Sequence, residues 1–308
     1  MNAPAPLTVD FATPVRDWIA HNLARGCPPE VVARSLIEQK TAPELATAMV
    51  QAVSNALLFG DPMPEGKLTL GAPPPQFVPD PGRFDKATVL RAEGRDVPVL
   101  ARLQRPSVAV LGNVFDAEDC RLLIEQARPR LEMSTVTDPI TGLDKVASHR
   151  SSSGMFFKPG ETPQVARLEK RIAELTGLPL EYGEGLQMLY YPVGAECAPH
   201  YDFLLPVNAT NQASIARSGQ RIATFITYLN DVEAGGETTF PHMGLSVSPQ
   251  RGQALFFEYG NAKRQTDPLS LHAGAPVLAG EKWIAVKWLR RQRFIPAGGK
   301  DAGSAMQR

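Results

Sequence analysis

Apolar residues recur at helical spacing through the first 60 residues, and at strand spacing in short runs beyond about residue 95. Val15, Trp18, Ile19 and Leu23 fall on one side of a first predicted helix, which Thr13-Pro14 would open and Gly26 would stop. Pro28-Pro29 would open a second helix carrying Val32, Leu36 and Ile37. Thr41 and Glu44 have capping-box spacing for a third, whose stripe is Leu45, Met49, Val53 and Leu57. Such stripes read as core, or as a surface that docks on the rest of the chain or on a partner. A stretch thick with Pro and Gly follows, with no helical or strand period, and reads as a linker or a wrapping arm.

The strand-like runs are residues 107–111, 186–191, 222–229, 254–259 and 283–289, separated by turn signals such as Gly235-Gly236 and Pro249 to Gly252. Two helices interrupt them. Asp116 would cap one that carries Leu122, Leu123 and Ala127. Thr162-Pro163 would open the other, with Val165, Leu168, Ile172 and Leu175 on one face before Gly177. The pattern predicts a β-rich α+β fold, a sandwich or barrel buttressed by helices behind a small N-terminal helical domain. The expected division is a helical region at 1–60, a linker at 61–94, a catalytic domain at 95–296 and a tail at 297–308.

Composition narrows the function classes. In 308 residues, Lys plus Arg equal Asp plus Glu at 32 each, so no global basic field draws nucleic acid or an anionic membrane. No apolar run is long enough to span a bilayer, and the first ten residues lack the basic and apolar regions of a signal peptide. Cys27, Cys120 and Cys197 are odd in number and far apart, which suits reduced thiols. A cytoplasmic protein is the expectation.

The candidate chemistry begins at His200-Tyr201-Asp202. In a strand, residues i and i+2 share a face, so an imidazole and a carboxylate can meet one metal ion. The same spacing also describes an ordinary hydrogen-bonded surface pair. His272, just before the last strand-like run, supplies a third ligand; two histidines and one carboxylate leave positions open for co-substrate and O2. Strand alternation puts Lys282, Ile284, Val286 and Trp288 on one face. A lysine among those groups either pairs with an anion such as a dicarboxylate or snorkels to water from a frayed strand start. Lys287, on the opposite face, reads as solvent-facing. His21, His149 and His242 read as polar-face or loop histidines.

Four ordered segments resemble the prolyl 4-hydroxylases of the Fe(II)/2-oxoglutarate dioxygenase superfamily. They are Arg150 to Gly154, LQMLYYPVGAECAPHYDF at 186–203, QRIATFITYLNDVEAGGETTFP at 220–241, and LHAGAPVLAGEKWIAVKWL at 271–289. The resemblance spans roughly residues 105–293. It implies a double-stranded β-helix, a jelly-roll-like core whose mouth holds the metal. It implies Fe(II) on His200, Asp202 and His272, with Lys282 on the distal carboxylate of 2-oxoglutarate and Tyr191 and Thr238 beside it. Arg221, Glu184, Arg150 and Ser152 match substrate-side positions. The implied reaction consumes 2-oxoglutarate and O2, releases succinate and CO2 and hydroxylates a prolyl residue of a peptide or protein, with ascorbate as reductant.

Two positions depart from that pattern. Cys197 stands where many relatives carry tyrosine, and Arg290 where many carry histidine. Both lie on the substrate side, so the same chemistry on a free amino acid or another peptidyl side chain stays open. A catalytically silent metal-binding interaction module is the reading from a different class. Cys197 itself reads either as an oxidation-sensitive thiol or as a half-buried structural cysteine.

Overall fold

A computed structural model describes residues 8–297 apart from 26, 71–75, 85, 134, 138–143 and 147–151. Strand β1 (Thr8–Phe11) leads into α1 (Thr13–Ala24), α2 (Pro29–Glu38) and α3 (Pro43–Phe59). Their buried positions follow the apolar stripes: Ile19 and Leu23, then Val32 and Leu36, then Met49, Val53 and Leu57. The starts differ from the sequence expectation. Ala12 and Ala42 occupy the cap positions of α1 and α3, with no side-chain cap. Pro43 at the first turn holds Ala42 extended, which leaves Thr41 one residue too early for a capping box. The expected stop at Gly26 lies outside the described residues; α3 ends at Gly60, whose φ of +74° is left-handed.

Strand β2 (Gly66–Thr69) returns to pair with β1. Then come β3 (Val89–Ala92), β4 (Arg95–Leu103), β5 (Ser107–Leu111), helix α4 (Ala117–Ala127), β6 (Glu132–Met133) and a ribbon of β7 (Thr135–Thr137) with β8 (Asp144–Val146). Strand β9 (Ser153–Phe157) precedes α5 (Pro163–Thr176), β10 (Leu186–Tyr191), β11 (Cys197–His200), α6 (Ala209–Ser218) and β12 (Arg221–Tyr228). The chain closes with β13 (Ala234–Gly235), β14 (Thr238–Phe240), β15 (Leu245–Val247), β16 (Ala254–Glu258), β17 (His272–Gly274), β18 (Val277–Ala279) and β19 (Lys282–Arg290). Asp116 caps α4 through the Asp119 amide and Thr162 caps α5 through the Val165 amide, both as the sequence predicts.

Two antiparallel sheets make the double-stranded β-helix. The larger runs β3-β4-β5-β16-β12-β19-β10-β9-β6; the smaller runs β11-β17-β14-β15. Alternation along β19 divides two apolar cores. Ile284 and Val286 face inward with Leu189, Ile226 and Tyr228, in a core continuous with the N-terminal helices. Trp283, Ala285 and Leu289 face outward and pack under α4 and α5. Val165, Leu168 and Ile172 of α5 are almost fully enclosed there, each contributing about 1.5–3 kcal/mol relative to an exposed side chain. Among the described residues no helix is long and apolar enough to cross a membrane.

Lys287 corrects the sequence expectation. It sits on the outer face, as alternation requires, yet is 2% exposed because α5 covers it. Its ammonium binds the Glu169 carboxylate, whose other oxygen accepts from the Gly160 amide at 2.8 Å. Burial pushes the Lys287 pKa down, and Glu169 offsets part of that. Gly183 permits the approach, since a Cβ there would lie 2.3 Å from Lys287 Cε. Replacing Lys287 with Ala strands a buried carboxylate, so we expect a loss of about 3–5 kcal/mol, measured by urea unfolding. A loss below about 1 kcal/mol would mean that water reaches Glu169.

Candidate active site

Strands β11 and β17 pair so that His200 and His272 are direct cross-strand partners. Their rings stand 4.3 Å apart between centroids. Asp202 lies two residues past His200, beyond the end of β11, so the chain's turn out of the strand rather than strand alternation brings its carboxylate in. The Nε2 atoms of His200 and His272 lie 3.6 Å and 3.5 Å from the two Asp202 oxygens. Asp202 and His272 are buried, whereas the His200 side chain is 41% exposed, which marks the open side.

The hydrogen bonds set the donor atoms. Nδ1 of His200 meets the Ala198 carbonyl at 2.9 Å, and Nδ1 of His272 meets the Ser270 carbonyl at 3.0 Å. A carbonyl can only accept, so each Nδ1 carries a proton and each Nε2 faces Asp202. A carboxylate oxygen that close to an Nε2 needs positive charge between them, either a proton on the nitrogen or a bound cation. Burial opposes a charged His200, but Cys197 and Asp202 outweigh it and raise the pKa to about 9, so with no cation there the proton sits on His200 Nε2. Burial, with His200 adding to it, pushes His272 down to about 4 and keeps that imidazole neutral. Burial would also raise Asp202, yet the two imidazoles and Thr224 hold it below the ordinary carboxylate range. Among the described residues these three form one group able to hold a metal ion, and two imidazoles with a carboxylate suit Fe(II).

A further layer supports the three. Thr224, on the inner face of β12, donates to Asp202 Oδ2 at 2.6 Å and lies 3.0 Å from the Tyr259 hydroxyl. Phe257 and Phe240 pack on His272, with ring centroids 4.7 Å and 5.9 Å away, and keep water from its back.

Lys282 does not snorkel. It pairs with Tyr191 across β19 and β10, is 2% exposed, and holds its ammonium 5.2 Å from the centre of the Tyr191 ring. Burial pulls its pKa down to about 8, with Cys197 and Glu237 opposing, so it stays largely charged at neutral pH. The described residues place no carboxylate within 4 Å of that ammonium. Thr238 is buried next to Gly274 across β14 and β17 and accepts a hydrogen bond from the Tyr228 hydroxyl at 2.9 Å. A Cβ on Gly274 would lie 3.4 Å from the Cys197 Cβ and 3.9 Å from the Lys282 ammonium, which places the lysine against the strand that carries His272.

The match to family models gives the 2OG-Fe(II) oxygenase superfamily over residues 186–290. The chain is 40% identical over 208 residues to probable prolyl 4-hydroxylase 10 of Arabidopsis thaliana, covering 61% of this chain and 70% of that protein. Prolyl 4-hydroxylase 5 of the same plant is 39% identical over 208 residues, with the same coverage. The chain belongs to the prolyl 4-hydroxylase family of Fe(II)- and 2-oxoglutarate-dependent dioxygenases. Human prolyl 4-hydroxylase subunit alpha-1 is 36% identical over 192 residues, which is 62% of this chain and 36% of that subunit. Among solved structures, the viral collagen prolyl hydroxylase of Paramecium Bursaria Chlorella virus-1 is 26% identical, with a TM-score of 0.46 over 59% of this chain and 94% of that one. Family membership brings Fe(II), 2-oxoglutarate and O2.

The residues expected on the substrate side of this dioxygenase have a more internal arrangement than the sequence suggests. Arg221 spans both Glu184 oxygens at 2.6 Å and 2.9 Å, donates to the Asp202 carbonyl at 3.2 Å, and lies 3.8 Å from the centre of the Trp288 ring. Arg290, the departure from the family pattern, is also buried. It donates to Glu184 at 2.6 Å, to the Gly219 carbonyl at 2.8 Å and to Ser214 at 2.9 Å. Burial would raise the Glu184 carboxyl, but the two arginines hold it below the ordinary range. Ser152 is fully buried beside β9, and Arg150 and His149 lie outside the described residues. The other departure, Cys197, is half-buried with its sulfur 3.7 Å from His200 Nδ1. His242 is exposed in a short turn.

Sequence reasoning missed Thr224, Tyr259 and Gly274. Alternation on β12 carried a signal for Thr224, a polar residue on the face of Ile226 and Tyr228; Tyr259 and Gly274 had none. Thr224→Val keeps the shape and removes the bond to Asp202. We expect Fe(II) affinity to fall about tenfold, measured by anaerobic titration; unchanged affinity would show that Asp202 is held without Thr224.

Proposed function

We propose that this dioxygenase hydroxylates a prolyl residue in a peptide or protein, consuming 2-oxoglutarate and O2 and releasing succinate and CO2. The observation that carries the co-substrate assignment is the buried Lys282 ammonium, which among the described residues has no carboxylate within 4 Å and sits beside Gly274, two residues along the strand from His272. Leaving such a charge uncompensated is costly, and a dicarboxylate supplies the missing anion. The prolyl substrate is supported by relatives named prolyl 4-hydroxylases at about 40% identity over two-thirds and more of their length.

In this reading His200, Asp202 and His272 hold Fe(II), which supplies the O2 chemistry that couples decarboxylation of 2-oxoglutarate to C–H hydroxylation. The protein's part is to bind, orient and exclude water. Lys282, with Tyr191 and Thr238, receives the distal carboxylate and so directs the keto-acid end toward the metal ligands. Ile284, Val286, Leu189 and Ile226 form the apolar floor that keeps water out and strengthens each charged contact. Arg221, Ser152 and Arg150 are assigned to the substrate side, where Glu184, itself bonded by Arg290, holds the Arg221 guanidinium over the Trp288 ring. Ascorbate serves as the external reductant.

Hydroxylation of another side chain or a free amino acid is the second reading. The specific observation behind it is Arg290, which commits Glu184 to an internal ion cluster.

We expect succinate release from 2-oxoglutarate in the presence of Fe(II) and ascorbate, and its loss in His200→Ala; equal succinate from both proteins removes the metal assignment. Lys282→Ala should raise the 2-oxoglutarate requirement at least tenfold while leaving Fe(II) binding alone, and an unchanged requirement rejects the lysine. Mass spectrometry of proline-rich peptides should show the gain of one oxygen. Continued succinate release with no oxidised peptide across a broad panel would favour the second reading.

A further inference from the structure

The loop between β16 and β17 runs from Tyr259 to Leu271 and reaches the proposed metal ligands at both of its ends, through Thr224 at one and directly at the other. Tyr259 meets Thr224, which holds Asp202, and the Ser270 carbonyl holds Nδ1 of His272. Between those ends the loop is gripped by parts of the chain that precede the sandwich. The Leu58 carbonyl, in the last turn of α3, accepts from both the amide and the hydroxyl of Thr266, at 2.8 Å and 2.9 Å. The arm after residue 75 grips it from the side. Val78 donates to Gln265 at 3.1 Å, and the Asn261 amide reaches the Val78 carbonyl at 2.9 Å.

Thr266 is followed directly by the turn that sets the histidine. Asp267 is 1% exposed; its side chain accepts from the Leu269 amide at 3.1 Å, and its carbonyl accepts from the Ser270 amide at 3.1 Å and the Ser270 hydroxyl at 2.7 Å. A carbonyl fixed at Ser270 leaves the His272 ring one orientation in which Nδ1 is bonded and Nε2 faces Asp202. The contacts therefore run without a break from α3, through Thr266 and the Asp267 turn, to the imidazole. Asn261, equally buried, ties the arm into the same loop by bonding Gln265 with both ends of its amide, at 2.7 Å and 2.8 Å.

We infer that the N-terminal helical region orients the second metal-binding histidine, with Thr266 as the positioning residue and the arm behind Asn261 as its brace. The helices are thus part of the active-site framework and not only a docking surface. The inference rests on His272 being a ligand for Fe(II), as proposed above.

The test is metal binding by the full-length protein, with Co(II) alone titrated calorimetrically in place of the air-sensitive ion, well below the unfolding temperature of each variant. Thr266→Val removes the hydroxyl bond to Leu58 and should weaken Co(II) binding about tenfold, and Thr266→Ser should restore it. Asn261→Ala releases the arm from the loop and should weaken binding in the same direction; it decides the matter if Thr266→Val does not fold. Lys287→Ala, destabilised on the opposite face of β19, should bind Co(II) as the wild type does, which separates positioning from general loss of stability. Wild-type affinity in both loop variants overturns the inference, as does equal weakening in Lys287→Ala. His272→Ala guards the underlying assignment: if it binds Co(II) normally, the ligand reading fails, whereas its loss beside intact binding by both Thr266→Val and Asn261→Ala removes only the role of the helices.

Discussion

Asp202 has to remain ionised inside an apolar sandwich, and the rest of the molecule is arranged around that requirement. A buried carboxylate is costly unless hydrogen bonds and positive charge surround it. Here Thr224 donates to it, two imidazoles face it, and the cross-strand pairing of His200 with His272 keeps both rings in place. The carbonyls of Ala198 and Ser270 then direct both Nε2 atoms inward, toward the carboxylate. The low-dielectric surroundings make each of these contacts stronger than it would be in water.

Lys282 is the other buried charge on the inner side of the sandwich. Among the described residues its ammonium and the Asp202 carboxylate form no ion pair with each other; Tyr191 pairs across from Lys282, and Gly274 lies beside its ammonium with Thr238 as cross-strand neighbour. In the proposed reading, a small dianion that chelates the metal at one end and meets the lysine at the other satisfies both charges.

Strand β19 joins this chemistry to the scaffold. Its inner face carries Lys282, Ile284, Val286, Trp288 and Arg290, and its outer face packs under α4 and α5 around the Lys287–Glu169 pair. Besides Lys282, two buried cations with carboxylate partners share this strand and do different work. Lys287 binds the sheet to a helix, whereas Arg290 helps Arg221 and Glu184 form a cluster with every guanidinium edge engaged. The β16–β17 loop makes the third junction, where the N-terminal helices meet the ligand framework.

Much of this was legible in the chain. Period-two alternation assigned Lys282, Ile284, Val286 and Trp288 to one face, helical spacing located the buried residues of α3 and α5, and Asp116 and Thr162 were caps in sequence and in structure. His200, Asp202, His272 and Lys282 did not stand out by spacing alone, since a His-Asp pair two residues apart also describes a surface pair; the four ordered segments of resemblance singled them out. Alternation, however, assigns a side without saying what covers it. Lys287 reads as solvent-facing until α5 lies over it, with a partner 118 positions away. Thr41 and Glu44 have capping-box spacing, but Pro43 sets where α3 begins. Glu184 and Arg290, 106 positions apart, meet only because β19 runs past the entry to β10. Local sequence determined which residues share a strand face or a helix stripe, since backbone geometry repeats every few residues. Only the tertiary structure decided which charges are paired, which remain open to a ligand, and that α3 holds the loop behind His272, because those contacts join segments that the chain does not bring together until it folds.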